Sequence, residues 1–282
     1  MSSGNFRHNG RPGLVGRSSP NHRDSPIPEL ASIPIALSKT DATIKAHPSY
    51  KAAKAGSMQD AGQLLRDLAF QFIVDTGKRF GPEVIFVAPH AIEASGENAI
   101  PQALAECMAV ITGGTSDKSI VQRARVYHTG ADPMERIISR PSFDGQVIKG
   151  GKYALVDDVS TMGTTLAELA NFIQHHGGVV VGAVLLVNAS RAEKLSPTKK
   201  AVSELERRHE NGIKEIFGIE PKALTADEAT YLLGFRTTDA IRNRVASARE
   251  ATNLRLHSKG ICRPSVTSAT NKPLILLLKK KT

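Results

Sequence analysis

Apolar positions in this chain fall into two kinds of pattern that alternate along its length. Short unbroken apolar runs, at 84–88 (Val-Ile-Phe-Val-Ala), 153–156 (Tyr-Ala-Leu-Val) and 179–187 (Val-Val-Val-Gly-Ala-Val-Leu-Leu-Val), predict buried strands. Between them lie segments with helical spacing. Residues 60–74 set Leu64, Leu65, Leu68, Phe70, Ile73 and Val74 mostly on one face, and 101–111 form a second such segment with Asn98 upstream as a cap and Pro101 suited to the first helical position. A third, 164–176, is closed by Gly177-Gly178. Strands alternating with helices predict an α/β fold with a mainly parallel sheet flanked by helices. A further possible strand is 124–128.

Past Asn188 the pattern becomes helical only. Thr225 and Glu228 have capping-box spacing, and a second helix is expected from near Thr238 through Ile241 and Val245. This pair around Gly234 reads either as a small C-terminal helical module that hoods the sheet or as a helix-turn-helix offering Arg242, Arg244 and Arg249 to DNA. The ends are different in kind. Residues 1–43 are rich in Ser, Pro, Gly, Asn and Arg without apolar period, and are expected to be disordered. The expected organisation is a tail over 1–43, an α/β core over 44–218, the helical module over 219–252 and a second tail over 253–282.

Charge changes the picture only when it is located. The net charge is +10, yet residues 1–51 hold seven Lys/Arg against three acids and 253–282 hold seven against none, leaving 52–252 at −1. The basicity lies in the ends, where weak nucleic-acid contact is available, and the body is close to neutral. Cys107 and Cys262 are too few for a disulfide framework, and the first residues lack the apolar core of a secretory signal. The apolar run at 273–278 is too short to span a bilayer. The expectation is a cytoplasmic protein without membrane contact.

The chemistry concentrates where the 153–156 run ends. Asp157 and Asp158 follow it, then Val159, Ser160, Thr161, Met162, Gly163, Thr164 and Thr165, and then a helix begins. A strand, a hydroxyl-rich turn and a helix N-terminus form an anion site, because unpaired N–H groups and the positive end of the helix dipole converge there. The two carboxylates would repel the anion itself, so they are read as acceptors for neighbouring hydroxyls or for a hydrated cation. A ribose 5-phosphate carries both groups.

This segment resembles the phosphoribosyl diphosphate motif of type I phosphoribosyltransferases. The resemblance implies that Asp157 and Asp158 hold the ribose 2- and 3-hydroxyls and act in catalysis, while 160–165 wrap the 5-phosphate; Met162 stands where the family often has threonine. It implies a phosphoribosyltransferase that transfers a ribosyl 5-phosphate from Mg²⁺-phosphoribosyl diphosphate to a nitrogenous base, with Mg²⁺ held by the donor's diphosphate and ribose hydroxyls and by its own waters and no direct protein ligand expected, and it suggests a homodimer. It also implies a diphosphate loop, for which Ser95, Gly96 and Glu97 are the candidates in a segment that also carries His90 and Glu93. A flexible loop is expected at 132–145, with Arg136 and Arg140 as charges for the diphosphate. His47, Tyr50, Lys51 and Lys54 form a polar cluster that reads as a solvated helix entrance or a pocket wall. Residues 111–119 end in Lys-Ser but lack the glycine a Walker loop needs before that lysine. The competing reading is a non-catalytic nucleotide sensor or nucleic-acid binder on the same fold.

Overall fold

A computed structural model describes residues 22–89, 92–93, 96–123 and 131–258. The elements in chain order are α1 (Glu29–Ser32), β1 (Ile35–Ser38), α2 (Ala42–Ala46), α3 (Tyr50–Lys54), α4 (Met58–Gly77), β2 (Val84–Val87), β3 (Ile92–Glu93), β4 (Gly96–Glu97), α5 (Ala99–Thr112), β5 (Thr115–Asp117), β6 (Val121–Gln122), α6 (Pro133–Ile138), β7 (Phe143–Asp144), β8 (Lys152–Ser160), α7 (Thr164–His175) and β9 (Val179–Asn188). After them come α8 (Lys199–His209), α9 (Gly212–Phe217), a 3₁₀ turn at Pro221–Ala223, α10 (Ala226–Leu233) and α11 (Thr238–Ser258).

Five strands form one sheet in the order β1-β9-β8-β2-β5, and every neighbouring pair is parallel. The unbroken apolar runs are explained by burial on both faces, as parallel sheets require. Ala154 and Val156 of β8 face one core with Leu64 and Leu65 of α4 and Leu104 and Met108 of α5. Tyr153 and Leu155 face the other, with Leu166, Leu169 and Ile173 of α7. The chain leaves β2 through α5 on the first face toward β5, and leaves β8 through α7 on the second face toward β9. These opposite departures open a crevice between the C-terminal ends of β2 and β8, the topological switch point where ligands bind in open α/β sheets.

The helical module is larger than the sequence pattern predicts. Met134 and Ile137 of α6, Leu205 of α8, Ile213 and Phe217 of α9, Leu232 of α10 and Ile241 and Val245 of α11 share a third core. The boundary expected at 219 therefore falls inside a packed unit, and α11 continues to Ser258. The expected capping box is present, with Thr225 accepting from the Glu228 N–H and Glu228 reaching back.

The N-terminal expectation needs correction. Residues 22–43 are ordered against the body: β1 supplies an edge strand, Ile27 and Ala31 enter the second core, and Arg23 pairs with the backbone beside Ile219. The sequence does not announce this order because β1 is only four residues long and half-buried, too short to show a period. Two smaller differences are visible. Phe70 is 60% exposed rather than on the buried face of α4, and Pro101 is the third residue of α5, whose N-cap is Asn98 as expected. The possible strand at 124–128 and His90 lie outside the described residues. Among the described residues no helix is long and apolar enough to cross a membrane.

Candidate functional site

β8 runs through both acids to Ser160, so Asp157 and Asp158 sit near the C-terminal end of the sheet's middle strand. Alternation sends the two side chains to opposite sides. Asp158 is 4% exposed. Its Oδ2 accepts from Lys54 Nζ at 3.0 Å and from Asn98 Nδ2 at 3.1 Å, and its Oδ1 accepts from the Val159 N–H at 2.9 Å. Asp157 Oδ1 accepts from the Asp158 N–H at 2.8 Å. Burial, and then the charge of Asp158 beside it, push the Asp157 carboxyl well above the usual carboxylate range.

The loop after β8 turns sharply into α7. Gly163 is the N-cap at φ 72°, in the left-handed region, and α7 has no side-chain cap. The first intrahelical bond is from the Ala167 N–H to the Gly163 carbonyl at 2.9 Å, so the N–H groups of Thr164, Thr165 and Leu166 precede the helical ladder. An uncapped N-terminus of a 12-residue helix beside two carboxylates is suited to a ligand that carries both an anion and hydroxyls. Ser160 Oγ is buried without a hydrogen-bond partner among the described residues.

Met162, the departure from the family pattern, packs partly buried against the helical module's core. Thr225 Oγ1 donates to the Met162 carbonyl at 2.6 Å, and Thr164 Oγ1 donates to Glu228 Oε1 at 2.8 Å. The loop is thus tied to the N-terminus of α10.

Of the remaining candidates, some converge and some do not. Gly96 and Glu97 form β4, which pairs antiparallel with β3 and leads directly into Asn98, so this hairpin borders the acid pair; Ser95 lies outside the described residues. The segment 132–145 holds the short helix α6, fixed by an Asp132–Glu135 capping box, rather than an irregular loop throughout. Arg136 Nη1 reaches Thr161 Oγ1 at 3.2 Å, at the anion loop. Arg140 does not face the crevice. It is buried against Glu168 of α7 and donates to the Phe217 carbonyl at 2.5 Å, because two carboxylates, Glu168 and Glu228, sit beneath α7 and require buried cations.

Lys54 and Asn98 both bond the Asp158 carboxylate, a placement that the sequence pattern undervalued. Lys54 belongs to the polar cluster before α4, but that cluster splits: His47 turns back to Asp67 at 3.3 Å and Lys51 is exposed, while Lys54 reaches Asp158 at 3.0 Å. Asn98 caps α5 through Oδ1 and holds Asp158 through Nδ2. The pair around Gly234 is present as α10 and α11. Arg242 is in ion pairs with Asp239 and Glu215, and Arg244 with Asp132 at 2.5 Å. Among the described residues no group of three or more His, Cys, Asp or Glu is arranged for a metal ion.

No protein-family model matches the chain. It is 36% identical over 215 residues to Protein TraN of Escherichia coli, a match covering 73% of this chain and 48% of TraN. It is 42% identical over 136 residues to an uncharacterised protein of Haemophilus influenzae, covering 47% of this chain and 30% of that protein. The chain therefore spans about half the length, or less, of these relatives. A stretch of 56 residues is 39% identical to an orotate phosphoribosyltransferase of Coccidioides immitis, covering 20% of this chain and 23% of that enzyme. Among solved structures, an adenine phosphoribosyltransferase of Leishmania donovani aligns with TM-score 0.31 at 17% identity, over 59% of this chain and 61% of that one. A purine phosphoribosyltransferase of Pyrococcus horikoshii aligns with TM-score 0.30 at 17% identity, over 47% and 85%.

Proposed function

We propose that the crevice between β2 and β8 binds phosphoribosyl diphosphate and transfers its ribosyl 5-phosphate to a nitrogenous base. The observation that carries this reading is the placement of Asp157 and Asp158 at the C-terminal end of β8, directly beside the uncapped N-terminus of α7. The 56-residue stretch shared with an orotate phosphoribosyltransferase supports it.

The 5-phosphate sits on the N–H groups of the loop and of Thr164, Thr165 and Leu166. The ribose diol meets the carboxylates. Asp158 holds its position through Lys54 and Asn98, so it presents a fixed acceptor edge. In the reaction a nitrogen lone pair of the base forms a bond to the anomeric carbon, and the carbon–oxygen bond to diphosphate breaks, the leaving diphosphate taking the electron pair. Positive charge grows on the sugar ring, and the adjacent carboxylates favour it. Most of the rate gain comes from fixing the sugar against the incoming base. Lys54, bonded to Asp158, and Arg136, bonded to Thr161 of the loop, supply positive charge toward the departing diphosphate.

Mg²⁺ suits this donor set, since it takes one or two carboxylates together with substrate phosphates and waters. A cation beside Asp157 would relieve the burial and repulsion that disfavour its charge. When bound, Mg²⁺ neutralises diphosphate charge.

Titration calorimetry with Mg²⁺ and phosphoribosyl diphosphate tests the reading: saturable binding that is lost in Asp157→Asn/Asp158→Asn supports it. A second reading, a sensor that binds the nucleotide without turnover, is favoured by the Lys54–Asp158 ion pair, which already occupies one acid. Binding without diphosphate release across a panel of purine and pyrimidine bases would select it.

A further inference from the structure

We infer that Glu228 and Thr225, at the start of α10, are positioning residues for the loop that receives the 5-phosphate, with Arg23 of the N-terminal segment as the buried counter-charge of Glu228. This inference rests on the phosphoribosyl reading of the site.

The capping box of α10 has two tasks at once. Within its own helix, Thr225 Oγ1 accepts from the Glu228 N–H at 3.1 Å and Glu228 Oε2 accepts from the Thr225 N–H at 2.8 Å. The same two side chains then reach across to the loop. Thr225 Oγ1 spends its proton on the Met162 carbonyl at 2.6 Å, and Glu228 Oε1 takes the proton of Thr164 Oγ1 at 2.8 Å. The two contacts bracket Gly163, the left-handed residue where the chain turns into α7. A methyl group on Gly163 would stand 3.0 Å from Leu195 and 3.4 Å from Thr225, so the loop lies directly on this support.

Two consequences follow for ligand binding. With its hydroxyl proton committed to Glu228, Thr164 offers the phosphate its backbone N–H. The Met162 carbonyl, whose partial negative charge would oppose a phosphate, is held toward α10. Both effects aim donors, not acceptors, at the anion.

Glu228 is fully buried, and a buried carboxylate needs a cation. Arg23, itself fully buried, provides it and also lies 3.5 Å from Glu168 of α7. The backbone of Arg23 is bonded on both sides, donating to Gly218 and accepting from Glu220 at 2.9 Å each. One arginine from before the first strand therefore stands under the helix and the loop that would bind the phosphate.

The test compares ribose 5-phosphate with Mg²⁺-diphosphate by calorimetry, on the full chain and below the melting range. Wild-type binding of ribose 5-phosphate comes first; its absence overturns both the phosphoribosyl reading and this inference. Given that binding, Glu228→Gln should weaken ribose 5-phosphate about tenfold or more, since a hydrogen bond to a charged group is lost, while Mg²⁺-diphosphate is unaffected. Equal weakening of both ligands, or of neither, overturns the positioning role and leaves the site reading intact. Should Glu228→Gln fail to fold, Thr225→Val and Thr225→Ser decide. Serine keeps the hydroxyl and should restore the affinity that valine loses, whereas equal affinities in the two folded variants overturn the inference.

Discussion

Lys54 Nζ lies 3.0 Å from Asp158 Oδ2, joining a five-residue helix before the core to the middle strand of the sheet. The contact closes one side of the crevice and gives the two acids different electrostatic surroundings. Asp158 has a cation and an amide. Asp157 has the Asp158 N–H, and its charge is opposed by burial and by its neighbour.

That asymmetry predicts opposite stability effects for the two asparagine variants. The raised carboxyl of Asp157 binds its proton more tightly in the folded state than in the unfolded chain. Its contribution to stability is therefore full below the ordinary carboxylate range, near pH 4, and is lost as pH rises through the raised value. Once ionised, the group destabilises the fold, because its charge is opposed by burial and by Asp158. Asp157→Asn should melt higher than wild type at pH 8, by about 2–4 °C for each kcal/mol recovered, and the gap should close toward pH 4. Asp158→Asn removes the partner of Lys54 and should cost about 1–3 kcal/mol. Melting curves of both variants at the two pH values check the signs.

Lys54→Met removes the ammonium that holds Asp158 and also lowers the Asp157 carboxyl. Donor binding that needs both carboxylates should then be lost on acidification at a higher pH than in wild type. A binding series from pH 5 to pH 9 reads this directly, and an unchanged midpoint would remove Lys54 from the site.

Gly163→Ala forces a side chain into the left-handed region against Leu195 and Thr225. The strain alone costs about 1–2 kcal/mol. Because the same residue sets the entry to α7, ribose 5-phosphate affinity should fall alongside the melting temperature, as paired calorimetry and thermal melts would show.

The two arginines of 132–145 should separate cleanly. Arg140→Met breaks a buried ion pair with Glu168 and a bond to Phe217, and should cost about 3–5 kcal/mol of stability. Arg136→Met loses the contact to Thr161 and should weaken phosphate binding with under about 1 kcal/mol of stability change, in line with its half-buried position. Chemical denaturation of the two variants distinguishes them.

The sheet and its flanking helices were legible because both-face burial leaves unbroken apolar runs, and because α4, α5 and α7 are long enough to show a period. The acid pair and hydroxyl loop were legible because strand, acids and helix start are contiguous. What was hidden depends on contacts distant in sequence. Arg23 meets Glu228 across more than two hundred positions, and Asp158 meets Lys54 across more than one hundred, so no local pattern announces either. The burial of Arg140 is hidden for the same reason, because local sequence does not show that Glu168 turns inward from α7. The capping box of α10 was visible, but its second use, on Met162 and Thr164, required the fold.

The most direct test of the central claim is calorimetry with Mg²⁺ and phosphoribosyl diphosphate on the wild type and on Asp157→Asn/Asp158→Asn, with melting curves to establish that both are folded. The account predicts saturable binding by the wild type and its loss in the folded double variant. Absence of binding by a folded wild type, or equal binding by both proteins, would contradict it.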